Sequence, residues 1–224
     1  PVICLIVAFT DLRHFQYLRG SEKLDQIWWF FCFFIGFCGL LVRVLTLGSV
    51  PEGTSGRNSL HQIAGTLNTS GMYSIVRNPL YFGNFLTWIG VALQFHSLLV
   101  LTLFLLSFVL LYERIILIEE EFLIKKFGEP FLQWQKATPM FFPAFKKWRG
   151  SPMRFNWKKI LRQEYLGFTA LVLIFAFVRI LCDWAVKGEF QKPNLFLIVL
   201  LWITLFLFLI LRFFALRTQV LSEK

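Results

Sequence analysis

The sequence has few charged residues, and this scarcity excludes an ordinary soluble domain. Asp, Glu, Lys and Arg make up 16% of the 224 residues, whereas 57% are hydrophobic. Soluble proteins average about 45–50% apolar residues. The charges also collect between long uncharged runs, the distribution of a chain that crosses a membrane several times. We therefore expect residues 1–224 to form a single transmembrane domain, in which any chemistry takes place at the bilayer.

Patterns for metal ligands, disulfides and soluble nucleotide sites are also missing. The four cysteines lie in apolar runs without a Cys-x-x-Cys pair, which predicts buried thiols and no metal site: Cys4, Cys32, Cys38 and Cys182. No Gly-x-Gly-x-x-Gly follows a predicted strand, so a dinucleotide site of the soluble type is excluded. The three histidines have no recognisable partners and are assigned no role: His14, His61 and His96.

What the sequence does have is a series of long apolar runs. They predict an all-α fold, a polytopic membrane helical bundle with at least five transmembrane helices: Ile27–Leu47, Pro79–Phe95, Leu98–Leu111, Tyr165–Val186 and Leu195–Ala215. The run Val2–Phe9 is too short to cross the bilayer alone. We expect it to be the end of a further, partial N-terminal helix. Gly36 and Gly39 allow either a close helix contact or the ordinary tolerance of glycine in membrane helices.

The second and third runs form a predicted helical hairpin. Asn78 is expected to cap the first arm, and Pro79 to occupy its first helical position with φ already set. This arm runs to about Phe95, and His96–Ser97 is the polar break before the second arm.

The second arm is predicted to continue beyond the membrane. Helical character extends from Leu98 to Phe127, and Gly128 is a natural C-terminal cap. Thirty residues span about 45 Å, so the helix projects into the cytoplasm by a turn or two. Because Pro79 begins the other arm on that side, Arg77 and the acidic cluster Glu119–Glu121 should lie near each other.

Two polar segments set the predicted topology. The loop Gly48–Arg77, which includes Gly53–Asn58, is long enough to suggest a function. From Lys125 to Arg162 there are ten Lys and Arg residues against one acid, Glu129. The positive-inside rule places this side in the cytoplasm. We expect the basic, aromatic part from Lys136 to Arg162 to lie on anionic lipid, and its continuity with membrane helices argues against nucleic acid.

Two short patterns carry a resemblance to a known family. Gly71, Tyr73, Arg77, Asn78, Pro79, Tyr81 and Gly83 follow the order Gly-x-Tyr-x-x-x-Arg-His-Pro-x-Tyr-x-Gly, with Asn78 in place of His. On the next helix come Glu119–Glu120 and then Phe127–Gly128. In these patterns the chain resembles the isoprenylcysteine carboxyl methyltransferases and their phospholipid-methylating relatives. The resemblance covers about residues 68–143.

The resemblance implies an S-adenosylmethionine-dependent methyltransferase with a cytoplasm-facing cofactor site and a lipid substrate that enters from the bilayer. It divides the domain into N-terminal helices and polar loop (1–67), a cofactor-binding core (68–143), and a basic segment with two C-terminal helices (144–224). The implied cofactor-binding residues are Tyr73, Arg77, Asn78, Pro79, Tyr81, Gly83, Glu119 and Glu120, and the implied catalytic residues are Arg77 and Glu120.

The chain departs from the family pattern at two places. Asn78 replaces the motif histidine, which changes a cofactor hydrogen bond. The tyrosine pair that usually follows Phe-Gly is replaced by Phe131 and Trp134, which removes phenol contacts to a substrate. Tyr81, Asn84 and Trp88 share one helix face, either as a pocket wall or as packing, and for Trp88 packing is favoured.

The chemistry of a sulfonium cofactor agrees with these residues. Such a cofactor carries two cationic groups and a carboxylate, so acids and a base are needed together, and Glu119, Glu120 and Arg77 supply them. Methyl transfer is an in-line displacement that depends mainly on alignment and exclusion of water. The predicted acceptor is the polar head of a lipid or lipid-anchored molecule, with a phospholipid or lipid phosphate favoured.

Other functions remain open from the sequence. The acceptor could also be an ethanolamine-type nitrogen or the carboxylate of an isoprenylated cysteine. A membrane sterol-type reductase would use NADPH and should show a phosphate-binding base in addition to Arg77. A transporter or scaffold should show charged or broken helices in mid-membrane. Arg43 and Arg179 do lie within the apolar runs, but both are near the ends of those runs.

Overall fold

The chain is a bundle of long helices. The structure, a computed structural model, describes residues 7, 10–51, 65–190 and 192–217. Most of the run Val2–Phe9, with Cys4, and all of Gly53–Asn58 and His61 lie outside the described residues. Within the described ranges the longer α-helices are α1 (Glu22–Gly48), α2 (Pro79–Leu93), α3 (Leu98–Phe127), α4 (Glu129–Ala137), α5 (Trp157–Lys187) and α6 (Leu195–Arg217). The predicted all-α, polytopic class is confirmed.

Four of these helices are long and apolar enough to cross a membrane. They are α1, α3, α5 and the part of α6 from Leu195 to Phe214. Helix α2 has 15 residues, which give about 22 Å against a hydrocarbon thickness of about 30 Å. The fifth predicted span is therefore a shorter apolar helix, and the predicted end at Phe95 is replaced by a turn after Leu93.

The centre of the bundle is formed where α1 packs on α2 and α5. A Cβ added to Gly39 would lie 2.4 Å from the carbonyl oxygen of Gly83, so the backbones of α1 and α2 touch at this point. Of the two explanations that the sequence left open for Gly39, the structure supports a close helix contact. Cys32 and Phe175 are fully buried beside it, and Cys182 is also buried and free.

The longer arm of the α2–α3 hairpin, α3, begins and ends at the predicted residues. Ser97 accepts a hydrogen bond from the Val100 N–H at 3.2 Å and so caps α3. Gly128 ends α3 with φ +60°, a backbone conformation that disfavours side chains. The prediction for Asn78 was wrong in one respect: its side chain makes no cap bond and donates instead from Nδ2 to the Met140 carbonyl at 3.1 Å.

The segments before α2 and after α4 are held together by backbone hydrogen bonds. Arg77 N–H donates to Pro139 O at 2.9 Å, and Ala144 N–H donates to Ile75 O at 2.9 Å. An isolated bridge pairs Gly71 with Arg149. These bonds fix the backbone of the Arg77 motif against the chain that follows α4.

The basic segment is partly helical, contrary to the expected start of the span at Tyr165. Helix α5 begins at Trp157, where the Asn156 side chain accepts a bond from Lys159 N–H at 3.0 Å. Lys159 is 1% exposed, and its ammonium group donates to Val50 O at 2.8 Å. Lys159 therefore does not face lipid, although it belongs to the basic run.

A charged cluster joins the helices at the end of the bundle opposite to the Arg77 motif. Asp25 of α1, which is 3% exposed, lies 2.5 Å from Arg179 of α5 and 3.3 Å from Nε2 of His96. Arg179 also pairs with Asp183 at 2.8 Å. This cluster joins α1, α5 and the turn of the hairpin. Arg179 and His96 therefore both take part in contacts between helices.

Candidate functional site

Arg77 and Glu120, which are far apart in the sequence, are in contact. Arg77 lies just before α2, and α3 returns along the bundle to place Glu120 beside it, with Nη1 and Oε1 3.1 Å apart. The other carboxylate oxygen of Glu120 accepts a bond from Gln135 Nε2 at 2.7 Å. Both charged side chains are only 14% exposed. The structure therefore brings the two predicted catalytic residues together.

This ion pair has unused hydrogen-bonding capacity. Within the described part of the chain, Arg77 Nε is buried and has no hydrogen-bond partner, and Glu120 Oε1 has only the ion contact with Arg77 Nη1, which is not a hydrogen bond. Buried polar atoms are normally satisfied, and exceptions in native structures often have a functional reason. A guanidinium N–H can bind a carboxylate, and a carboxylate oxygen can bind an ammonium group. The pair thus fits a ligand that carries both groups, as the amino-acid end of S-adenosylmethionine does.

Glu119 points to a different place from Glu120. The Tyr81 hydroxyl donates to Glu119 Oε1 at 2.5 Å, and both residues line a cavity of about 730 Å³. That volume lies within the range of about 300–1,000 Å³ usual for ligand sites. The cavity lies between α1, α2, α3 and α5, and Arg77 and Glu120 are not among the residues that line it.

The cavity is lined mainly by apolar side chains, together with a few polar ones. Its lining includes Leu40, Leu80, Trp88, Val91, Ile115, Leu171 and Ile174 together with Arg43, Asn84 and Thr87. Trp88 on this wall is 46% exposed, so the cavity reaches the outer surface of the bundle beside α2. The favoured interpretation of Trp88 as packing was wrong. Tyr81, Asn84 and Trp88 all lie on the cavity wall.

The polar lining residues Arg43 and Asn84 belong to a hydrogen-bonded network that the sequence patterns did not single out as a site. Arg43 Nε and Nη2 donate to the two carboxylate oxygens of Glu164 at 3.0 and 2.6 Å. Arg43 Nη1 donates to Asn84 Oδ1 at 2.8 Å, and Asn84 Nδ2 donates to the Tyr112 hydroxyl at 3.1 Å. The available signal was Arg43, an ionisable residue within an apolar run, since such residues are rare in membrane proteins and mark functional sites.

The remaining predicted residues have other contacts. Tyr73 accepts a bond at its carbonyl from Trp134 Nε1 at 3.0 Å, so Trp134 supports the motif. Pro79 is buried at the start of α2. Gly83 lies against α1, where an added Cβ would be 2.7 Å from Arg43 Cγ. Asn78 bonds to the Met140 carbonyl. Their role in cofactor binding stays a prediction.

Comparison with known proteins agrees with the family resemblance. The family model of the phospholipid methyltransferases matches residues 31–130. The match begins within α1, earlier than the sequence motifs indicated, and it contains Arg43, Arg77 and both glutamates. The predicted resemblance to membrane methyltransferases is thereby confirmed.

Three curated proteins are similar to parts of the chain. The cobalt-zinc-cadmium resistance protein CzcN of Cupriavidus metallidurans is 41% identical over 85 residues, which are 38% of this chain and 39% of that protein. The nickel-cobalt-cadmium resistance protein NccN of Alcaligenes xylosoxydans xylosoxydans is 34% identical over 95 residues, 42% of each. The methanethiol S-methyltransferase of Pseudomonas deceptionensis is 26% identical over 156 residues, 66% of this chain and 58% of that enzyme.

The chain therefore matches less than two thirds of the length of each of these relatives. No solved structure matches it. Among the residues that the structure describes, no group of three or more His, Cys, Asp or Glu side chains could hold a metal ion.

Proposed function

We propose that the protein is an integral membrane methyltransferase that uses S-adenosylmethionine and methylates an amphipathic acceptor drawn from the bilayer. The observation that carries the proposal is the buried Arg77–Glu120 pair with two unsatisfied atoms. It lies one residue away from Glu119, which lines a cavity that reaches the outer surface of the bundle beside α2. The similarity of residues 31–130 to phospholipid methyltransferases supports the same chemistry.

The cofactor would be held at the inner ends of α2 and α3. Arg77 Nε would bind its carboxylate, Glu120 Oε1 would bind its ammonium group, and Gln135 keeps the Glu120 carboxylate oriented. The cofactor supplies an electrophilic methyl group on a positively charged sulfur. Glu119 and Tyr81 lie between this pair and the cavity, where they can orient the reacting groups and, with the apolar walls, limit the access of water.

The acceptor would enter from the bilayer with its polar end toward Tyr81 and Asn84. Apolar side chains on the cavity wall suit a lipid chain or another apolar body. A phospholipid head group, as favoured by the sequence, and a small thiol, as named for the relative from Pseudomonas deceptionensis, both fit this description.

The site would face the cytoplasm, on the side of the basic surface. Exposed aromatic and basic side chains lie together after α4: Phe142, Phe145, Lys146, Lys147, Trp148, Arg149, Arg154, Trp157 and Lys158. Such a mixture suits the headgroup region of an anionic leaflet. This surface would hold the mouth of the cofactor site at the membrane surface.

Titration of the purified protein with S-adenosylhomocysteine tests the proposal. We expect the protein to bind S-adenosylhomocysteine and Glu120→Gln to weaken binding about tenfold to hundredfold, because a hydrogen bond to a charged group is lost. Glu121→Gln is the matched control, since Glu121 is exposed and pairs only with the neighbouring Lys125 among described contacts.

Two results would contradict the proposal. One is the absence of S-adenosylhomocysteine binding by folded protein, with binding of NADPH in its place, which would favour a reductase. The other is an equal effect of the two glutamate substitutions, which would show that Glu120 has no special contact with the cofactor.

A further inference from the structure

Arg43, on the cavity wall, belongs to an ion pair that the proposed function does not yet use. Arg43 and Glu164 are 16% and 5% exposed and make a two-point contact. They lie roughly 8–10 Å inside the ends of α1 and α5, by the rise per residue of a helix. Arg43 lines the cavity together with Tyr81, Asn84 and Glu119. The charge of this pair bears directly on what the cavity can hold.

Two glycines leave space for this pair. A Cβ at Gly83 would lie 2.7 Å from Arg43 Cγ, and a Cβ at Gly167 would lie 2.9 Å from Glu164 Oε2. Gly167 itself lines the cavity. The helix surfaces are thus shaped around the arginine and its carboxylate. Arg43 is held in place from three sides: by Glu164, by Asn84 and by the close backbone of α2.

A guanidinium that is already bound to a carboxylate at two points attracts a second anion weakly. A phosphate or carboxylate on the acceptor would have to displace Glu164, and breaking a buried pair leaves an uncompensated buried charge. Glu119, which lines the cavity itself, repels anions as well. The polar groups that stay available to a ligand are the hydrogen-bonding atoms of Asn84, Thr87 and Tyr81.

We infer that the methyl acceptor is an uncharged nucleophile that carries a proton, a thiol or an amine on an apolar body, and not a phosphate or a carboxylate. This inference rests on the proposed methyltransferase function. It decides among the acceptors that the sequence leaves open, and it excludes the lipid phosphate and the isoprenylcysteine carboxylate.

The transfer step balances with a residue of the site. The lone pair of the acceptor sulfur or nitrogen forms the new bond to the methyl carbon. The carbon–sulfur bond of the sulfonium donor breaks, and its electron pair returns to that sulfur. The acceptor's proton passes to the Glu119 carboxylate, whose Oε1 is held by the Tyr81 hydroxyl. An anionic acceptor would need no such base, so the lining Glu119 also favours a protic acceptor.

Acceptors with one apolar body and four different head groups test the inference. Purified protein would be given labelled S-adenosylmethionine with 1-hexanethiol, hexylamine, hexanoate or hexyl phosphate. We expect methylation of the thiol or the amine at least about tenfold faster than that of either anion, since displacing Glu164 is unfavourable. The thiol and amine arms distinguish the two acceptor types.

The outcomes separate this inference from the proposed function. Methylation of hexanoate or hexyl phosphate at a rate equal to that of the neutral acceptors would overturn the inference. Binding of S-adenosylhomocysteine without transfer to any of the four would overturn it too, and would leave the methyltransferase proposal supported by the binding. Failure to bind S-adenosylhomocysteine would overturn both.

A binding measurement without cofactor tests the role of the ion pair itself. Glu164→Gln leaves Arg43 unpaired, and we expect the variant to bind hexyl phosphate about tenfold more tightly than the wild type, because the arginine is then free to attract the anion. The double variant Arg43→Gln/Glu164→Gln removes both charges and should bind hexyl phosphate as weakly as the wild type does.

Unchanged affinity in a folded Glu164→Gln variant would overturn the inference. If that variant does not fold, the double variant still decides, since replacing both members of a buried ion pair is often tolerated. Weaker binding of hexyl phosphate by the double variant than by the wild type would show that Arg43 already contacts anions, and the inference would fail.

Discussion

Glu119 and Glu120 are consecutive in the sequence, yet their carboxylates have different partners. Successive residues of a helix point about 100° apart, so Glu120 meets Arg77 while Glu119 meets Tyr81 on the cavity side. One residue would hold the cofactor and the next would face the acceptor. A pair of adjacent glutamates would thus join the two proposed binding regions without any loop between them.

The Tyr81 hydroxyl should matter for transfer more than for cofactor binding. Tyr81→Phe removes the bond that positions Glu119, so we expect methyl transfer to slow about tenfold, the loss of roughly one hydrogen bond to a charged group. Affinity for S-adenosylhomocysteine should change less than about threefold, as expected when ground-state contacts are kept. Rates and titrations on the purified variant provide the measurement.

Tyr165→Phe is the matched control for that experiment, because Tyr165 packs its ring against Phe208 and does not line the cavity. Transfer by Tyr81→Phe at the rate of this control would show that the hydroxyl has no part in the reaction.

At this scale the sequence predicted the contact between Arg77 and Glu120 and missed the contact between Arg43 and Glu164. Arg77 and Glu120 could be found because each belongs to a short pattern. The partners Arg43 and Glu164 are separated by 121 residues, and neither belongs to such a pattern. Asn78 was expected to cap α2 because it precedes Pro79, but the chain after α4 offers it a carbonyl at Met140, and this tertiary contact replaces the local one.

At the scale of elements, two ion pairs among the described residues join α1 to α5, one near each end of the bundle. The Arg43–Glu164 pair joins α1 to α5 beside the cavity. The Asp25–Arg179 pair joins the same two helices at the other end, together with the hairpin turn at His96. Since helix association in lipid has little hydrophobic driving force, polar contacts between helices have an important part in fixing their register.

The distal pair should therefore support stability without affecting the site. Asp25→Ala leaves Arg179 with a single acidic partner, and we expect the free energy of unfolding to fall by about 3–5 kcal/mol, as when a buried ion pair loses one member. Thermal unfolding in detergent measures the loss. Saturating S-adenosylhomocysteine should raise the melting temperature of the variant as it does for the wild type.

Glu22→Ala is the control, since Glu22 lies one turn earlier on α1 and makes an exposed pair with Lys187. Exposed ion pairs contribute about 0–1 kcal/mol. Equal destabilisation by the two substitutions would show that the buried cluster has no special part in holding α1 to α5.

The ends of the elements show where local patterns are sufficient. The bounds of α3 at Leu98 and Phe127 could be predicted because Ser97 and Gly128 mark them with local chemistry. The start of α5 at Trp157 could not, because the predicted span was defined by the apolar run alone. The polar first turns of α5 are held by Asn156 and by the buried contact of Lys159 with Val50.

At the scale of the whole molecule, the position of the site relative to the membrane follows from the helix ends. The C-terminal part of α1, the start of α2 and the start of α5 meet on one side, with the basic surface next to them. The short connection between α5 and α6 lies at the opposite end of α5. The positive-inside rule then predicts that the site faces the cytoplasm.

Single cysteines in a background without the four native ones test this orientation. With Lys146→Cys and Lys192→Cys, a reagent that does not cross membranes should label position 192 in intact cells, because the predicted topology places it on the outer side. Position 146 should be labelled only after the membrane is permeabilised. The reverse pattern would place the site outside, and labelling of both positions in intact cells would contradict the predicted separation of the two sides.

The cavity wall combines a part of the chain that matches the phospholipid methyltransferases with a part that does not. Leu40, Arg43, Tyr81 and Glu119 lie within residues 31–130. Gly167, Ala170, Leu171 and Ile174 come from α5, outside that match. The part proposed to bind the methyl donor and the part of the wall from α5 could therefore vary independently. Homologues with the same motifs and a different α5 should form a series of enzymes that share one methyl donor and differ in the compounds that they modify.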